Sequence, residues 1–183
     1  MDLEGDLKFR NVALPITADK VDISWDNPQL LEIGMKYKIS DEVTLLINAD
    51  WEDWSQFSKN RLGVTGGVAN PSATLDRNWK DTWHVAVAVV TKKDDHIFSA
   101  GFAYDSSVVD DDDRTIDLPL DEQVKFSAAY GWTGNKKLDF GVGSTLMWAG
   151  NGDVDQTAQD VRFKGEFDKN YILFLGATIR YEL

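Results

Sequence analysis

Residue types that could do chemistry are few in this chain. His84 and His96 are the only histidines, and there is no cysteine. A zinc site needs three or four nitrogen, sulfur or carboxylate ligands brought together. The two histidines lie in separate segments, one on the polar side of an alternating pattern and one beside a turn. We therefore expect a structural role for each histidine and predict no metal site.

Two other motifs could bind an ion or a phosphate. The acidic run DDDD at 110–113 offers carboxylate oxygens to calcium, but it lacks the spacing of a calcium loop and is expected to be a solvated acidic loop. The sequence TGG at 65–67 is followed by no Gly-Lys-Ser/Thr, so it is not a phosphate loop. No acid, base or nucleophile pair stands out, and the sequence predicts no enzyme and no cofactor.

The elements that position these residues are indicated by strict alternation of apolar and polar side chains, which is typical of strands with one apolar face. No segment shows helical periodicity, and turn-like links of three to five residues join several strands. The sequence predicts an all-β, antiparallel, up-and-down architecture of eight or nine strands. The alternating segments are 31–39, 43–52, 83–89, 98–105, 124–132, 138–148, 161–167 and 171–183, with a weaker candidate at 5–13, and the longer loops are 55–80, 106–121 and 150–158.

The apolar faces could contact either lipid or a protein core. The strands are long enough to cross a bilayer when tilted, and aromatic residues such as Trp51, Trp83, Tyr104 and Trp132 cluster near their ends, as in transmembrane barrels. The opposite face is rich in Gly, Ala, Ser, Thr and charge. These features favour lipid and a transmembrane β-barrel. A soluble β-sandwich or a lipocalin-like barrel with its apolar face inward would explain the alternation equally well.

Composition excludes several classes of partner. The net charge of −12 argues against phosphate-directed nucleic-acid binding and against a polybasic membrane anchor. The absence of cysteine excludes a disulfide framework. The amino terminus MDLEGDLKF lacks the basic start and apolar stretch of a signal peptide, which predicts a protein that is not exported, a mature form or a fragment.

Several phrases between the strands carry a family resemblance. DWEDWSQF at 50–57, NWKDTW at 78–83, SAGFAYDSSVV at 99–109 and LPLDEQVKFSAAYGW at 118–132, with the final strand, resemble the outer-membrane long-chain fatty acid and hydrophobic-compound transporters of the FadL/TodX type. The resemblance runs from about residue 28 to the end of the chain and covers only the C-terminal part of a family member. Four positions depart from the family pattern: Val108, Leu120, Gln123 and the terminal Leu183, which stands where the assembly machinery commonly reads Phe.

The resemblance implies a fold, a function and a location. Residues 1–183 would form a single segment of a larger, fourteen-stranded barrel, with the signal peptide and the N-terminal hatch absent. The protein would transport long-chain fatty acids or other hydrophobic compounds by passive diffusion, in the outer membrane of a Gram-negative bacterium, with membrane lipid and the barrel assembly machinery as partners. The alternative is a non-transporting small β-barrel or a soluble β-sandwich with a binding or structural role.

Strand counting raises one conflict. Alternating directions through all the predicted strands place the C-terminus at the same end as the long loops 106–121 and 150–158. If the C-terminus is periplasmic, this strand count puts the long loops in the periplasm as well. Transmembrane barrels of bacteria usually have the opposite arrangement, with short periplasmic turns and longer external loops.

A transporter of amphipathic acids needs an apolar path and a cation for the carboxylate. The cations on the polar faces also have acidic neighbours, and an ion pair that only satisfies the wall is the alternative role for each. Lys125, Arg162 and Arg180 are the predicted ligand contacts, chosen from a set that also includes Lys36 and Lys164. Likewise, Gly141, Gly143 and Gly165 either let a ligand or plug approach the wall or relieve crowding within it.

Overall fold

A computed structural model describes residues 2–6, 20–24, 26–65, 72–115, 121–135, 138–158 and 161–181. Within these ranges the chain consists of antiparallel β-strands and one helical turn. Their bounds are β1 Asp2–Asp6, β2 Lys20–Ser24, β3 Leu30–Lys38, β4 Val43–Glu52, α1 Trp54–Phe57, β5 Lys59–Thr65, β6 Ser72–Asp76, β7 Thr82–Lys93, β8 His96–Asp105, β9 Gln123–Asn135, β10 Leu138–Trp148, β11 Val154–Ala158, β12 Val161–Gly165 and β13 Tyr171–Tyr181.

The chain divides into two compact units, Met1–Gln29 with Glu52–Asp81, and Leu30–Trp51 with Thr82–Leu183. The first unit contains a four-stranded antiparallel sheet in the order β1-β2-β5-β6. Strands β5 and β6 lie in the segment 55–80 that the sequence predicts as a loop, because neither shows a long alternation. Of the weak candidate at 5–13, residues 7–13 lie outside the described ranges.

The second unit contains a seven-stranded sheet in the order β13-β10-β9-β8-β7-β4-β3. It is an up-and-down meander, and each of its strands matches one of the predicted alternating segments to within a few residues. Cross-strand pairs align like with like, as with Phe102 opposite Phe126 and Leu146 opposite Leu173. The predicted all-β antiparallel fold is confirmed.

One predicted strand is misplaced. Residues 161–167 do not continue the meander: β12 pairs with β11 in a separate two-stranded sheet, with Val154 opposite Gly165. Strand β10 pairs directly with β13 instead. Short alternating segments fit a loop hairpin as well as a spanning strand, so periodicity could not distinguish the two.

This correction removes the conflict over loop lengths. In the observed meander, β4, β8 and β10 end and β7, β9 and β13 begin at one end of the sheet, which we call the loop end because long stretches of sequence separate these pairs of strands. Strands β3, β7 and β9 end and β4, β8 and β10 begin at the other, which we call the turn end because few residues separate these pairs; β13 also ends there. The C-terminal end of the sheet is therefore on the side of the short turns.

The sheet is open, with β3 and β13 at its two edges. Seven antiparallel strands make the first and the last run in the same direction, so a bond between β3 and β13 would be parallel. Antiparallel closure therefore needs an odd number of further strands, in keeping with the even totals of bacterial barrels. The described strands form part of a barrel wall rather than a closed barrel.

Bulky apolar side chains lie on the surface of this sheet and not in a core. Leu175 is 77% exposed and Ile179 is 71% exposed, whereas the buried apolar residues of the described ranges are Val109, Met147, Ala149 and Val154. A soluble sandwich would bury the bulky face against a second sheet. No helix within the described ranges is long and apolar enough to cross a membrane.

Candidate transport groove

The two faces of the seven-stranded sheet differ in side-chain size. One, which we call the apolar face, carries residues such as Val87, Phe102, Phe126, Val142 and Leu175. The other, which we call the small-residue face, carries mostly Gly, Ala, Ser and Thr between its ends. Bulky exceptions on this face are Ile97, opposite Gly131, and Phe174, opposite Thr145. Its small central members are Ala86, Ala88, Ser99, Gly101, Ala103, Ser127, Ala129, Gly131, Gly141, Gly143, Thr145, Gly176 and Thr178.

A groove of about 760 Å³ lies along the small-residue face, and all thirteen of those central residues line it. It runs across β7, β8, β9, β10 and β13, and a smaller groove of about 330 Å³ extends across β3, β4 and β7. The lining is largely apolar, with a few hydroxyl groups. Ser127 and Thr145 satisfy each other, their side-chain oxygens lying 2.8 Å apart. A wall of this kind can contact an acyl chain closely, because its side chains are small and few of them are polar.

Close approach between neighbouring strands explains why glycine recurs on this face. A Cβ on Gly101 would lie 3.1 Å from the Cβ of Ala88, and one on Gly143 would lie 3.2 Å from the Cβ of Ala129. A Cβ on Gly141 would meet the Thr178 hydroxyl at 2.7 Å. Gly141 and Gly143 therefore relieve crowding within the wall, and they also line the groove. Gly165 lies on β12, outside the seven-stranded sheet.

The predicted contact Lys125 lies at the loop end of the groove, in a charged cluster. Its Nζ lies 2.7 Å from Asp105 Oδ2, and His84 Nδ1 lies 2.8 Å from Asp105 Oδ1. Each member precedes or follows by two residues a groove-lining position on its own strand: Ala86, Ala103 and Ser127. The sequence therefore predicted that Lys125 and His84 lie on the polar face of their strands, but not that one carboxylate contacts both.

Asp105 is not fully satisfied by these contacts. Its Oδ2 is buried, and although Lys125 Nζ is close, the approach does not have hydrogen-bond geometry. We take the contact to be a close ion pair, since distance governs charge attraction and angle governs hydrogen bonding. All three side chains are about one quarter exposed, so the cluster is partly accessible to solvent.

Arg162, the second predicted contact, lies on the β11–β12 hairpin and does not line the groove. Its Nε and Nη2 donate to the two oxygens of Asp155 at 2.6 and 2.5 Å, and Lys164 lies 3.5 Å from the same carboxylate. The hydrogen bonds from Arg162, with the charges of Arg162 and Lys164, lower the pKa of Asp155 to about 2. The same hydrogen bonds and the charge of Asp155 raise the pKa of Arg162. This guanidinium already has a bidentate partner.

Arg180, the third predicted contact, lies at the turn end of β13 on the small-residue face. It is opposite Asp139 of β10 in the register. Within the described residues it has no salt bridge or hydrogen bond, and its neighbour Glu182 lies outside them. The structure therefore brings none of the three predicted contacts together: Lys125 and Arg180 are at opposite ends of the sheet, and Arg162 is in a loop hairpin.

Sequence reasoning missed Arg114, whose side chain is 1% exposed. Its Nη1 lies 2.7 Å from Asp111 Oδ1, its Nη2 lies 2.9 Å from Asp121 Oδ1, and it also donates to the Asp153 carbonyl. These contacts join residues 106–115 to residues 149–155, which with Asp121 we call the loop cluster. The acidic run at 110–113 was the available signal, because four carboxylates beside a single arginine favour an internal ion pair.

Two further features hold the loop cluster together. Gly150 has φ +64°, and a Cβ there would lie 2.2 Å from the Cβ of Asp121, so only glycine fits. The Asp155 N–H donates to the Asp111 carbonyl at 3.0 Å. Burial and the adjacent Asp121 carboxylate raise the pKa of Glu122. No group of three or more metal-ligating side chains occurs within the described ranges, including the 110–113 run.

The quoted tryptophan phrases form a structural cluster in the first unit. Trp54 and Phe57 of DWEDWSQF surround Trp79 of NWKDTW, with ring centroids 5.5 to 5.9 Å apart. Asp53 caps α1 by accepting from the Gln56 N–H. These aromatic residues stabilise the first unit.

His96 contacts aromatic residues at the turn end of the apolar face. Its Nδ1 lies 2.8 Å from the Tyr130 hydroxyl, and its ring stacks on Tyr130 and Phe98. Trp132 stacks on Phe140 beside them. Amphipathic rings at this position are typical of the interfacial belt of a membrane barrel.

Comparison with known proteins places these features in a family. Residues 4–183 match the family described as outer membrane protein transport protein (OMPP1/FadL/TodX). The long-chain fatty acid transport protein of Escherichia coli K12 is 23% identical over 146 residues, which are 76% of this chain and 32% of that protein. Its counterpart in Escherichia coli O6:H1 strain CFT073 is 25% identical over 121 residues, 66% of this chain and 27% of that protein.

A solved structure shows the same fold. The crystal structure of a Pseudomonas aeruginosa FadL homologue superimposes with a TM-score of 0.65 at 19% identity, covering 87% of this chain and 36% of that one. The chain thus spans about a third of the length of the relatives it matches. The chain belongs to the outer membrane protein transport protein family (OMPP1/FadL/TodX), whose members are transport proteins of the Gram-negative outer membrane and not enzymes.

Proposed function

We propose that this chain forms part of the wall of an outer-membrane channel through which long-chain fatty acids, or other hydrophobic compounds, diffuse passively. One observation carries the proposal: an apolar groove of about 760 Å³ is lined by Ser127, and Lys125 is the next residue on the same face of β9. A fatty acid has the complementary chemistry, a long apolar chain with a single carboxylate at one end. Family membership supports the general role of transport.

The groove supplies apolar contact and the lysine supplies charge. An acyl chain along Ala86, Gly101 and Ala129 exchanges water contact for contact with small apolar side chains. The carboxylate pairs with Lys125, whose ion-pair partner among the described residues is Asp105. Neither interaction consumes energy or needs a cofactor, so movement follows the concentration gradient of the ligand.

The loop lengths give the channel a direction. Short turns of bacterial barrels are periplasmic and longer loops are external. On that rule the turn end faces the periplasm, and a ligand entering from outside reaches the Lys125 cluster before the groove. The apolar face contacts membrane lipid. The barrel assembly machinery remains a predicted partner, and the terminal Leu183 on which that prediction depends lies outside the described residues.

The other predicted contacts have weaker support. Arg162 is engaged by both oxygens of Asp155, so a ligand carboxylate would have to displace a bidentate partner. Arg180 lies at the periplasmic end of this orientation and would contact a carboxylate only on exit. Both remain predictions, and Lys125 is the contact we propose first.

A pair of consecutive alanines allows a matched test. Ala128 is on the apolar face opposite Ala100, and Ala129 is on the small-residue face opposite Gly143. In the full-length protein, expressed in a strain that lacks its own fatty acid transporter, Ala129→Phe should reduce uptake of a labelled long-chain fatty acid about tenfold. Ala128→Phe should leave uptake within about twofold, because the added ring meets lipid.

Two results would count against the proposal. Equal uptake by the two variants, with both proteins present in the membrane, would mean that the groove is not the path. If uptake is unchanged in both variants and also after complete deletion of the protein, the alternative of a non-transporting barrel is favoured.

A further inference from the structure

We propose that Asp105 is a specificity-determining residue of the groove: it holds and neutralises Lys125 while the groove is empty, and an incoming carboxylate takes its place. This inference rests on the proposed function and concerns the same site. It assigns a role to a carboxylate of the family-like phrase SAGFAYDSSVV for which the resemblance implied no function.

The register places His84, Asp105 and Lys125 in one diagonal row. His84 is opposite Asp105, and Lys125 is opposite Ala103, two residues from Asp105 on the same face. The row crosses β7, β8 and β9 at the loop end of the small-residue face. A ligand whose chain lies in the groove with its headgroup towards the loop end would have that headgroup at this row.

The two oxygens of Asp105 have unequal partners. Oδ1 contacts His84 Nδ1 at 2.8 Å, a hydrogen-bonded pair, whereas Oδ2 contacts Lys125 Nζ at 2.7 Å without hydrogen-bond geometry. His84 therefore keeps Asp105 in place when Lys125 turns to another acceptor. An ammonium group has three donors, and within the described residues Asp105 is the only partner recorded for this one.

Exchange of carboxylates explains selective but reversible binding. A lysine with no partner at the edge of an apolar groove would bind an anion tightly and release it slowly. With Asp105 present, the ligand replaces one carboxylate by another at the same ammonium group, so the number of ion pairs is unchanged. A neutral ligand cannot make this exchange and leaves the Lys125–Asp105 pair intact. Asp105 therefore lowers the affinity for acids without changing the affinity for their esters.

The test compares a long-chain fatty acid with its methyl ester, in the full-length protein in detergent. Dissociation constants are measured for each ligand by quenching of tryptophan fluorescence. Asp105→Asn keeps the shape of the side chain and removes its charge, so it should bind the acid about three- to tenfold more tightly. The affinity of this variant for the methyl ester should stay within about twofold of that of the unchanged protein.

A matched control separates this effect from a general change of charge. Asp50 is also at the loop end of the small-residue face, on β4, which is three strands away from β9 in the sheet. Asp50→Asn removes the same charge without touching Lys125. Its ratio of acid to ester affinity should remain that of the unchanged protein.

A second variant gives the opposite sign. Lys125→Gln leaves Asp105 without its cation, so the acid should bind about threefold or more weakly than the ester. The double variant Asp105→Asn with Lys125→Gln should bind the two ligands equally. If the Asp105→Asn protein does not fold, Lys125→Gln alone still tests the role of Asp105, because equal affinity of this variant for acid and ester would refute repulsion of the ligand by Asp105.

The outcomes separate the two proposals. If the unchanged protein binds acid and ester but neither Asp105→Asn nor Lys125→Gln changes their ratio, the role of Asp105 is refuted and the groove remains a transport path. If Asp50→Asn changes the ratio as much as Asp105→Asn, the effect is a general one of charge and the specific role is also refuted. If the unchanged protein binds neither ligand, the proposed function itself fails.

Discussion

The two faces of the seven-stranded sheet treat charge in opposite ways. Among the described residues of the apolar face, lysine and histidine occur at the turn end, as with Lys93 and His96, and no Asp, Glu or Arg lies on this face of the seven strands. On the small-residue face, charges occur at both ends, and at the loop end Asp105 joins His84 and Lys125. The difference indicates that the two faces meet different media. On the apolar face a charge has no partner, whereas on the small-residue face neighbouring groups and water can stabilise it.

The largest effect should come from placing a charge at mid-height on the apolar face. Val87→Arg puts a guanidinium on the apolar face, where it should cost about 2–4 kcal/mol of folding free energy in a bilayer. Ala86→Arg, one residue away, projects into the groove near Asp105 and should cost less than about 1 kcal/mol. Chemical unfolding in lipid vesicles measures both. Equal costs would contradict the assignment of the two faces.

A smaller effect is expected where a charge is buried but fully partnered. Arg114→Met leaves Asp111 and Asp121 without their shared cation and should destabilise the loop cluster by about 2–3 kcal/mol. Hydrogen exchange at residues 106–115 and 149–155 should then increase, with the strands unaffected. Arg162→Met removes an exposed arginine from a comparable ion pair and provides the control, since exposed pairs contribute little. If both substitutions loosen the loop cluster equally, burial is not what distinguishes the two pairs.

The smallest effect concerns the exposed pair itself. The pKa of Asp155 is about 2, below its ordinary 3.8, so the folded hairpin favours the ionised form. This contribution to stability is present above about pH 4 and is lost as the pH falls towards about 2. An NMR titration of the Asp155 carboxyl group should show the low pKa, and Arg162→Gln should return it towards the ordinary value. A normal pKa in the unchanged protein would mean that the pair is not formed in solution.

Long, strictly alternating segments were predictable because alternation is a local property of a strand with two different environments. All seven strands of the large sheet were identified in this way, and so was the position of Lys125 on the face opposite the bulky residues. The pattern left open whether the apolar face contacts lipid or a protein core, since both environments give the same alternation.

Short strands were less predictable. Residues 161–167 alternate like a spanning strand, yet β12 needs only a local partner, β11, to satisfy its backbone. Strand β5 is stabilised by pairing with β6 and with β2, which lies far away in the sequence. Pairing partners decide such elements, and no pattern within one segment records them.

The sequence by itself determined the antiparallel β-fold, the two-faced strands and the family, because alternation and the tryptophan phrases are written locally along the chain. Only the tertiary structure decided that β10 pairs with β13, that the sheet stays open, and that Arg114 is buried between two loops. It also decided that Asp105 lies between His84 and Lys125, because ion pairs between strands depend on register, which places residues 20 and more positions apart within 3 Å of each other.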